Sequence, residues 1–453
     1  AEEILNALAR IKRLKVVGRA SSFYYRGKNV SLKQIGRELG VANVLEGSVR
    51  KQGDQVRITA AMSRTNDGLQ VWSKNYDGAL ANIFDLQESF ARDIARELDI
   101  VLADVSERRL VDKVTDNPQA YALFVEAQTL VTRRIGDSLP RAIKLLQEAT
   151  RLDPNFARAW AKLAVALAVE PQYVEADWQT NWNAAEQAIQ QAITLDPASA
   201  EAYAALGYVE LSRRHYREMV GPGEQAVALD PKDSTANFWE ANQLASMGRT
   251  ADTEATVDRA LAADPANGLL VFYKAAARYR LGDNDAAVKL ARRADALGFP
   301  VAGMTLAYLA AARGDHESGA ADFARGFGAF HTQFSAEDLA AIYRGAYGDE
   351  ASRQAGLAAV AKHPHDLFAG TMLLHLGEPA QAFAAFERDG LGLSDAFYNF
   401  LWQTDAWARK ARQDPSFQDF AKRLGLVDYW KANRWPDACR PTPDHGPDSF
   451  TCQ

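Results

Sequence analysis

Cysteine is nearly absent from this chain of 453 residues, which holds only Cys439 and Cys452. That excludes a scaffold built on disulfides, since such folds need bridges spread along the sequence. Long apolar runs are lacking too: the longest candidate, Leu163 to Val169, is far short of the roughly 18 residues of a membrane-crossing helix. No single charge sign dominates. The formal net charge is −6, which argues against nucleic acid as the partner of the whole chain. Histidine is scarce, and the seven residues are scattered apart from His363-Pro364-His365. Two imidazoles flanking a proline diverge, and no carboxylate spacing completes a ligand set, so this reads as a helix-end turn. Nucleophile elbows, phosphate loops and dinucleotide glycine patterns are missing as well. The expectation is a non-enzymatic chain with no cofactor and no metal. Its opening is not expected to be a signal peptide. "AEEILNALARIKRLK" is an amphipathic helix pattern without a Met, which reads as a piece cut from a longer precursor.

What is present is ordinary globular composition, 47% hydrophobic and 24% charged, long enough for two to four domains. Charge is uneven. Residues 1–60 carry 12 Lys or Arg against 5 Asp or Glu, and 12 − 5 gives +7, leaving the remainder acidic. The basic start is either a solvated surface or a face for an acidic partner, which includes the acidic remainder of the chain. Both cysteines sit in the tail "CRPTPDHGPDSFTC", whose Pro, Asp and Gly content cannot fold on apolar burial. A Cys439–Cys452 bridge would close this loop and points to an oxidising compartment such as a periplasm. The alternative is two free thiols in a frayed cytosolic tail. With His445 between them they fall one ligand short of a zinc cage.

The first hundred residues mix periods. In "SLKQIGREL" Ser31 is placed to cap a helix with Leu32, Ile35 and Leu39 on one face, and Gly40 ends it. In "VLEGSVRKQGDQVRITAAM" the residues Val56, Ile58, Ala60 and Met62 alternate with Gln55, Arg57, Thr59 and Ala61, the period of a half-buried strand. Gly53-Asp54 is hairpin-turn chemistry. The stretch is therefore a β-hairpin and not a phosphate loop, because Lys51 leads into a strand rather than a helix N-terminus. "LQVWSKNY" gives a third strand, and "IFDLQESFARDIARELDIVL" a helix.

After residue 118 the strands stop and one motif recurs. "LDP" at Leu152–Pro154, Leu195–Pro197 and Leu229–Pro231 is followed by "ADP" at Ala263–Pro265 and "GFP" at Gly298–Pro300. The prolines are spaced 43, 34, 34 and 35 apart. A period of ~34 is that of tetratricopeptide helix-turn-helix units. Pro ends one pair and starts the next, where its missing N–H costs little. Ala149, Ala192, Ala226 and Ala260, each five positions before a Pro, let paired helices approach closely. In the unit that starts at 200, Tyr203, Leu206 and Gly207 match the aromatic, Leu and Gly positions of a first helix. The 43-residue gap holds an insertion around "EPQYVEADWQTNW". About eight pairs fit between 119 and 425 at this period.

Solenoids of helix pairs present a concave groove. Repeat starts at 200, 234 and 268 place Tyr208, Ser212, Phe238, Asn242, Phe272, Tyr279 and Arg280 on it. Aromatic and Arg residues make good anchors there, and Asn can hold an extended backbone; packing between repeats is the alternative for each aromatic. A clamp for a terminal carboxylate needs a Lys, Arg and Asn set of which Asn242 alone fits. Tyr173, Trp178 and Trp182 of the insertion either form a lip over the groove or pack on the neighbouring pair.

The stretch from "SSFYYRGKNVSLKQIGRELG" through "VLEGSVRK" and "VRITA" to "WSKNYD" resembles a domain akin to the TolB N-terminal domain. That domain is found in bacterial signalling proteins just ahead of tetratricopeptide arrays. "DYWKANRWPDAC" resembles the ending of such proteins. The resemblance implies an upstream winged-helix DNA-binding domain or an adenylate or guanylate cyclase domain, often followed by a membrane span; neither is in this chain. It also implies a strand before the first helix, which this chain lacks, so the sheet either lacks an edge strand or gains one from elsewhere.

The expected architecture is mainly α. A small α/β domain with a sheet of three or more strands spans 1–105, with a linker at 106–118. A tetratricopeptide-type α-solenoid follows at 119–435, and a Pro-rich tail at 436–453. The expected role is a periplasmic sensor or scaffold module that binds a protein, a peptide or a second copy of itself. The alternatives are an assembly subunit of the cell envelope and a cytosolic regulator of an adenylate cyclase.

Overall fold

The structure is a computed structural model and describes residues 2–9, 11, 14–98, 110–133, 137–388 and 396–453. The expected domain boundary at 105 and the start of the linker lie outside the described residues, as do residues 99–102 of the helix expected after the third strand.

The first region holds α1 (Glu2–Ala9), α2 (Arg19–Tyr24), α3 (Leu32–Leu39), β1 (Asn43–Gln52), β2 (Gln55–Arg64), β3 (Gln70–Ala79) and α4 (Ile83–Glu97). Ser31 accepts the Gln34 N–H and so caps α3, and Gly40 closes that helix in the left-handed region at φ 66°. The three strands form an antiparallel sheet in the order β1-β2-β3. Val49 pairs with Ile58 and Gln52 with Gln55 across the Gly53-Asp54 turn. Val56, Ile58, Ala60 and Met62 face inward at 3, 4, 1 and 3% exposure. α4 covers that face: Phe90 meets the Trp72 and Tyr76 rings at 6.1 and 5.4 Å.

Eight helix pairs follow among the described residues. They are α5 and α6 (Pro118–Arg133, Ser138–Leu152), α7 and α8 (Ala157–Val169, Trp178–Leu195), α9 and α10 (Ala200–Ser212, Val220–Leu229), and α11 and α12 (Ser234–Ser246, Thr250–Ala263). Next are α13 and α14 (Gly268–Arg280, Asn284–Ala296), α15 and α16 (Gly303–Ala311, His316–Phe327), α17 and α18 (Ala336–Tyr347, Glu350–Lys362), and α19 and α20 (Ala369–His375, Pro379–Arg388). The small residues at the pair contacts are sealed in, with Ala149, Ala192, Ala226 and Ala260 at 0, 0, 0 and 1% exposure. Four short helices complete the chain, α21 (Ala396–Leu401), α22 (Ala406–Gln413), α23 (Pro415–Arg423) and α24 (Leu426–Ala432), before β4 (Cys439–Pro441) and β5 (Phe450–Cys452). The fold is a small three-stranded α/β unit joined to a tetratricopeptide-type solenoid.

The array does not run out as an open spiral. The indole N–H of Trp402 donates to the Ser246 carbonyl at 2.8 Å, and Arg214 Nη2 to the Phe386 carbonyl at 2.9 Å. Asp437 N–H donates to the Gly248 carbonyl at 3.0 Å. At this seam a glycine is required: Gly248 has φ 72°, and a Cβ there would stand 2.7 Å from the Trp402 ring and 2.8 Å from Pro436. The final helices therefore fold back onto the middle of the array.

The tail is anchored by more than its bridge. Cys439 and Cys452 are disulfide-bonded across the β4–β5 ribbon. Phe450 is buried at 1% exposure, packed against Trp430, Trp435 and Phe417 with ring centroids 5.5, 5.6 and 5.7 Å away. The expectation that this segment lacks apolar burial is corrected by that one side chain, which finds its partners on α23, on α24 and just beyond α24 rather than within the tail's own loop.

The first region is not a separate body. One apolar core runs from Ile4, Phe84 and Phe90 through Tyr121 and Phe156 to Tyr208, Trp239 and Leu270. The Phe84 and Tyr121 rings are 4.7 Å apart, and Glu88 accepts the Val111 N–H at 2.7 Å.

Candidate functional site: the cavity inside the curled array

The inner helices α9, α11 and α13 begin at Ala200, Ser234 and Gly268, the register that the proline spacing implies. Each start has its own N-cap: Ser199, Asp233 and Asn267 accept the N–H groups of Ala202, Ala236 and Leu270. These three helices, with α7, α15 and α21, enclose a cavity of about 1420 Å³. Ordinary small-molecule pockets measure ~300–1,000 Å³, so this one is large enough for an extended stretch of chain.

Two closures define it. The Tyr173 ring stands 6.0 Å from Phe330, and the His331 N–H donates to the Gln172 carbonyl at 2.9 Å. The second pair thus touches the loop after the sixth, and both Tyr173 and Phe330 line the cavity. The second closure is the N-terminal region, which contributes Leu5, Val16, Gly18 and Arg19 to the wall.

That docking centres on one carboxylate, beside the Gly18 N–H donating to the Ala263 carbonyl at 2.7 Å and the Ala266 N–H to the Ser21 hydroxyl at 2.6 Å. Asp264, from the "ADP" turn, is 1% exposed. It accepts the Ala20 N–H at 3.3 Å, and the Ser21 N–H and hydroxyl at 2.7 and 2.5 Å. These N–H groups belong to the first turn of α2, whose own N-cap residue, Gly18, offers no side chain. Asp264 therefore caps a helix from another part of the chain. The equivalent aspartates of earlier repeats accept N–H groups two residues on, Asp153, Asp196 and Asp230 from Asn155, Ala198 and Lys232. Asp153 also accepts the Thr115 hydroxyl, but among the described residues none of the three is shown capping a distant helix. The fit is close, since a Cβ on Gly18 would stand 2.6 Å from the Asp264 Cβ.

The expected groove residues divide into two sets. Phe238, Phe272 and Arg280 line the cavity, as does Tyr173 of the insertion. Tyr279 and Arg280 also line a second, smaller cavity of about 450 Å³ beside Asp405 and Tyr347. Tyr208, Ser212 and Asn242 are corrected: all three are 0% exposed and lie in the packing between helices. Tyr208 lies 4.1 Å from the Trp239 ring and bonds Gln172, and Asn242 donates to the Tyr273 hydroxyl at 2.6 Å. The curl is tight enough to press these positions against the neighbouring inner helix. Trp178 and Trp182 pack on each other at 5.4 Å, with Trp182 4% exposed, and neither lines the cavity. Cavity residues that sequence reasoning missed include Asp233, Tyr273, Tyr308, Phe400 and Gln403. Phe400 and Gln403 arrive through the fold-back, and no local pattern announces that.

The two edges of the cavity differ electrostatically. At the N-terminal ends of α9 and α11 stand Glu201, Asp230 and Asp233, interleaved with Arg158, Lys232 and Lys162, the last paired to Glu201. Burial, reinforced by Glu201 and Asp230, lifts the Asp233 carboxyl to about 6. At the C-terminal end of α13 stands Arg280, whose guanidinium burial lowers to about 10. Beyond it His375 is sealed among rings, 4.0 Å from Trp407 and 5.7 Å from Tyr308. Its Nδ1 lies 2.8 Å from the Thr371 carbonyl and its Nε2 3.0 Å from the Tyr308 hydroxyl. A carbonyl can only accept, so Nδ1 carries the proton and Nε2 accepts from Tyr308. Burial holds this imidazole down to about 4. Among the described residues no group of three or more His, Cys, Asp or Glu is arranged to hold a metal, and no helix is long and apolar enough to cross a membrane.

No family model matches the chain. It is 33% identical over 184 residues to the putative adenylate cyclase 3 of Rhizobium meliloti (strain 1021), a stretch that covers 41% of this chain and 30% of that protein. The chain thus spans under a third of the curated relative it matches. Among solved structures, a thermophilic tetratricopeptide protein of Thermus thermophilus shares 14% identity, covering 39% of this chain and 89% of its own, at a TM-score of 0.33. A tetratricopeptide repeat protein from Parabacteroides merdae ATCC 43184 shares 12% over 60% of this chain and 93% of its own, at 0.34. PilW, a type IV pilus biogenesis factor, shares 19% over 46% and 92%, at 0.35.

Proposed function

We propose that this chain is a non-catalytic interaction module of a bacterial signalling protein, and that a segment of a protein or peptide partner enters the cavity between the inner helices. The observation that carries this reading is the cavity itself. It is about 1420 Å³, is walled by aromatic rings, and carries charged side chains of both signs; such walls suit the side chains and termini of a partner. The resemblance of its first region to the TolB N-terminal-like domain and the stretch shared with a protein named as an adenylate cyclase support a signalling context. Occupancy of the cavity would then bias a conformational equilibrium in whatever domain the chain is attached to. The Cys439–Cys452 bridge supports a periplasmic setting over a cytosolic one.

The test places a photoreactive benzoyl-phenylalanine at Phe272, on the cavity wall, and at exposed Val125 as control. In cells, irradiation should join the Phe272 variant, and not the Val125 variant, to a polypeptide. Equal labelling from both positions, or none from Phe272, would remove the reading.

A further inference from the structure

Arg280 closes α13 and faces the boundary between the two cavities. Its Nη2 donates to the Asn399 carbonyl at 2.8 Å. Its Nε is buried with no acceptor. Among the described residues no carboxylate stands within ion-pair distance of the guanidinium. The groups that face it are the phenols of Tyr273 and Tyr308, and a second cation, Arg412, adds to the positive field. Asp405 is the near acid, and its two oxygens are committed to the Tyr279 and Tyr347 hydroxyls, each at 2.9 Å. On the same cavity wall Gln403 is 5% exposed and its Oε1 lacks a donor.

Arg280 is half-buried, bonded at Nη2 to Asn399 alone and with a buried Nε left over; a guanidinium so placed has donors to spare for a partner from outside. Its planar fork matches a carboxylate better than any other common anion of proteins. The rings of Phe272, Tyr273 and Tyr308 beside it suit an apolar neighbour of that carboxylate. We propose that Arg280 is the anchor of an anion subsite at the C-terminal end of α13, and that its occupant is a carboxylate on the peptide segment entering the cavity. This rests on the reading of the cavity as a peptide site.

A chain-terminal carboxylate and an Asp or Glu side chain share this chemistry, and the experiment separates them. Immobilised full-length protein is exposed to a mixture of random-sequence hexapeptides with free carboxyl ends and, separately, to the same mixture amidated. Retained peptides are identified by mass spectrometry. Wild type should either retain the free-carboxyl mixture over the amidated one or enrich peptides with Asp or Glu over neutral ones. Arg280→Gln should reduce that preference about ten- to a hundredfold, the value of a charge-assisted bond, and Arg280→Lys should keep part of it. Thermal unfolding of both variants, together with the function of the lysine form, guards against a mere folding defect. Preference that survives amidation and follows Asp or Glu identifies a side-chain carboxylate; preference lost on amidation identifies a terminal one. Equal retention of the free and amidated mixtures together with no enrichment of Asp or Glu, or a preference unchanged in Arg280→Gln, overturns the subsite and leaves the interaction reading standing. No retention of either mixture overturns both.

Discussion

His375, which is buried, and Asp233, which is half-buried at a helix start, are titrating groups whose effects on stability run in opposite directions. The imidazole has its folded value near 4, below the ordinary 6.5. Its contribution is complete above pH 6.5 and is lost as pH falls through about 4, a change of roughly 3 kcal/mol. The Asp233 carboxyl is raised from 3.8 to about 6, so its contribution is complete below 3.8 and is lost as pH rises through 6. Unfolding midpoints in urea, followed from pH 4 to 8, should therefore show an acid limb that His375→Gln flattens. Asp233→Asn, which keeps the cap of α11, should raise stability at pH 7 and leave it unchanged at pH 4. An acid limb that survives His375→Gln would contradict the sealed neutral imidazole. Residue identity alone gave little notice of either group. His375 read as one of seven scattered histidines and Asp233 drew no reading, because the rings around the one and the Glu201 and Lys162 charges near the other come from other elements.

At the scale of elements, the sequence was most legible where spacing is local. The alternation in Gln55–Arg64, the Ser31 cap and the 34-residue proline period each set an element that the structure contains. What spacing could not convey was the curl. It is made by pairs such as Trp402 with Ser246 and Tyr173 with Phe330, and this is why Tyr208, Ser212 and Asn242 moved from groove to core. The trans cap of α2 by Asp264 belongs to this scale as well. Asp264→Ala leaves the Ala20 and Ser21 N–H groups without their acceptor and should cost about 2 kcal/mol. The Asp264→Asn variant should lose less. Hydrogen exchange at residues 18–24 should quicken in Asp264→Ala while exchange in α11 stays slow. Equal quickening in both segments would mean that α2 is not held by this carboxylate.

At the scale of the molecule, an open repeat array behaves like a one-dimensional stack, each unit sensing only its neighbours, so terminal units can melt while central ones persist. Here Gly18 is bonded to Ala263, Arg214 to Phe386, and Tyr279 to Asp405. Nine tryptophans, from Trp72 to Trp435, report on nearly the whole length. Their fluorescence and the helical circular dichroism should lose structure at the same urea concentration, in a single transition. Two separated transitions would show that the seams do not couple the halves. The fold-back of α21 to α24 onto the middle of the array carries a kinetic consequence. Phe400 and Gln403 supply part of the cavity wall, so the growing chain cannot finish this interior until that distant segment has left the ribosome. Repeats that would fold vectorially in an open solenoid must here wait for contacts separated by more than a hundred residues, and the loop closure they require makes maturation slow for an all-helical array.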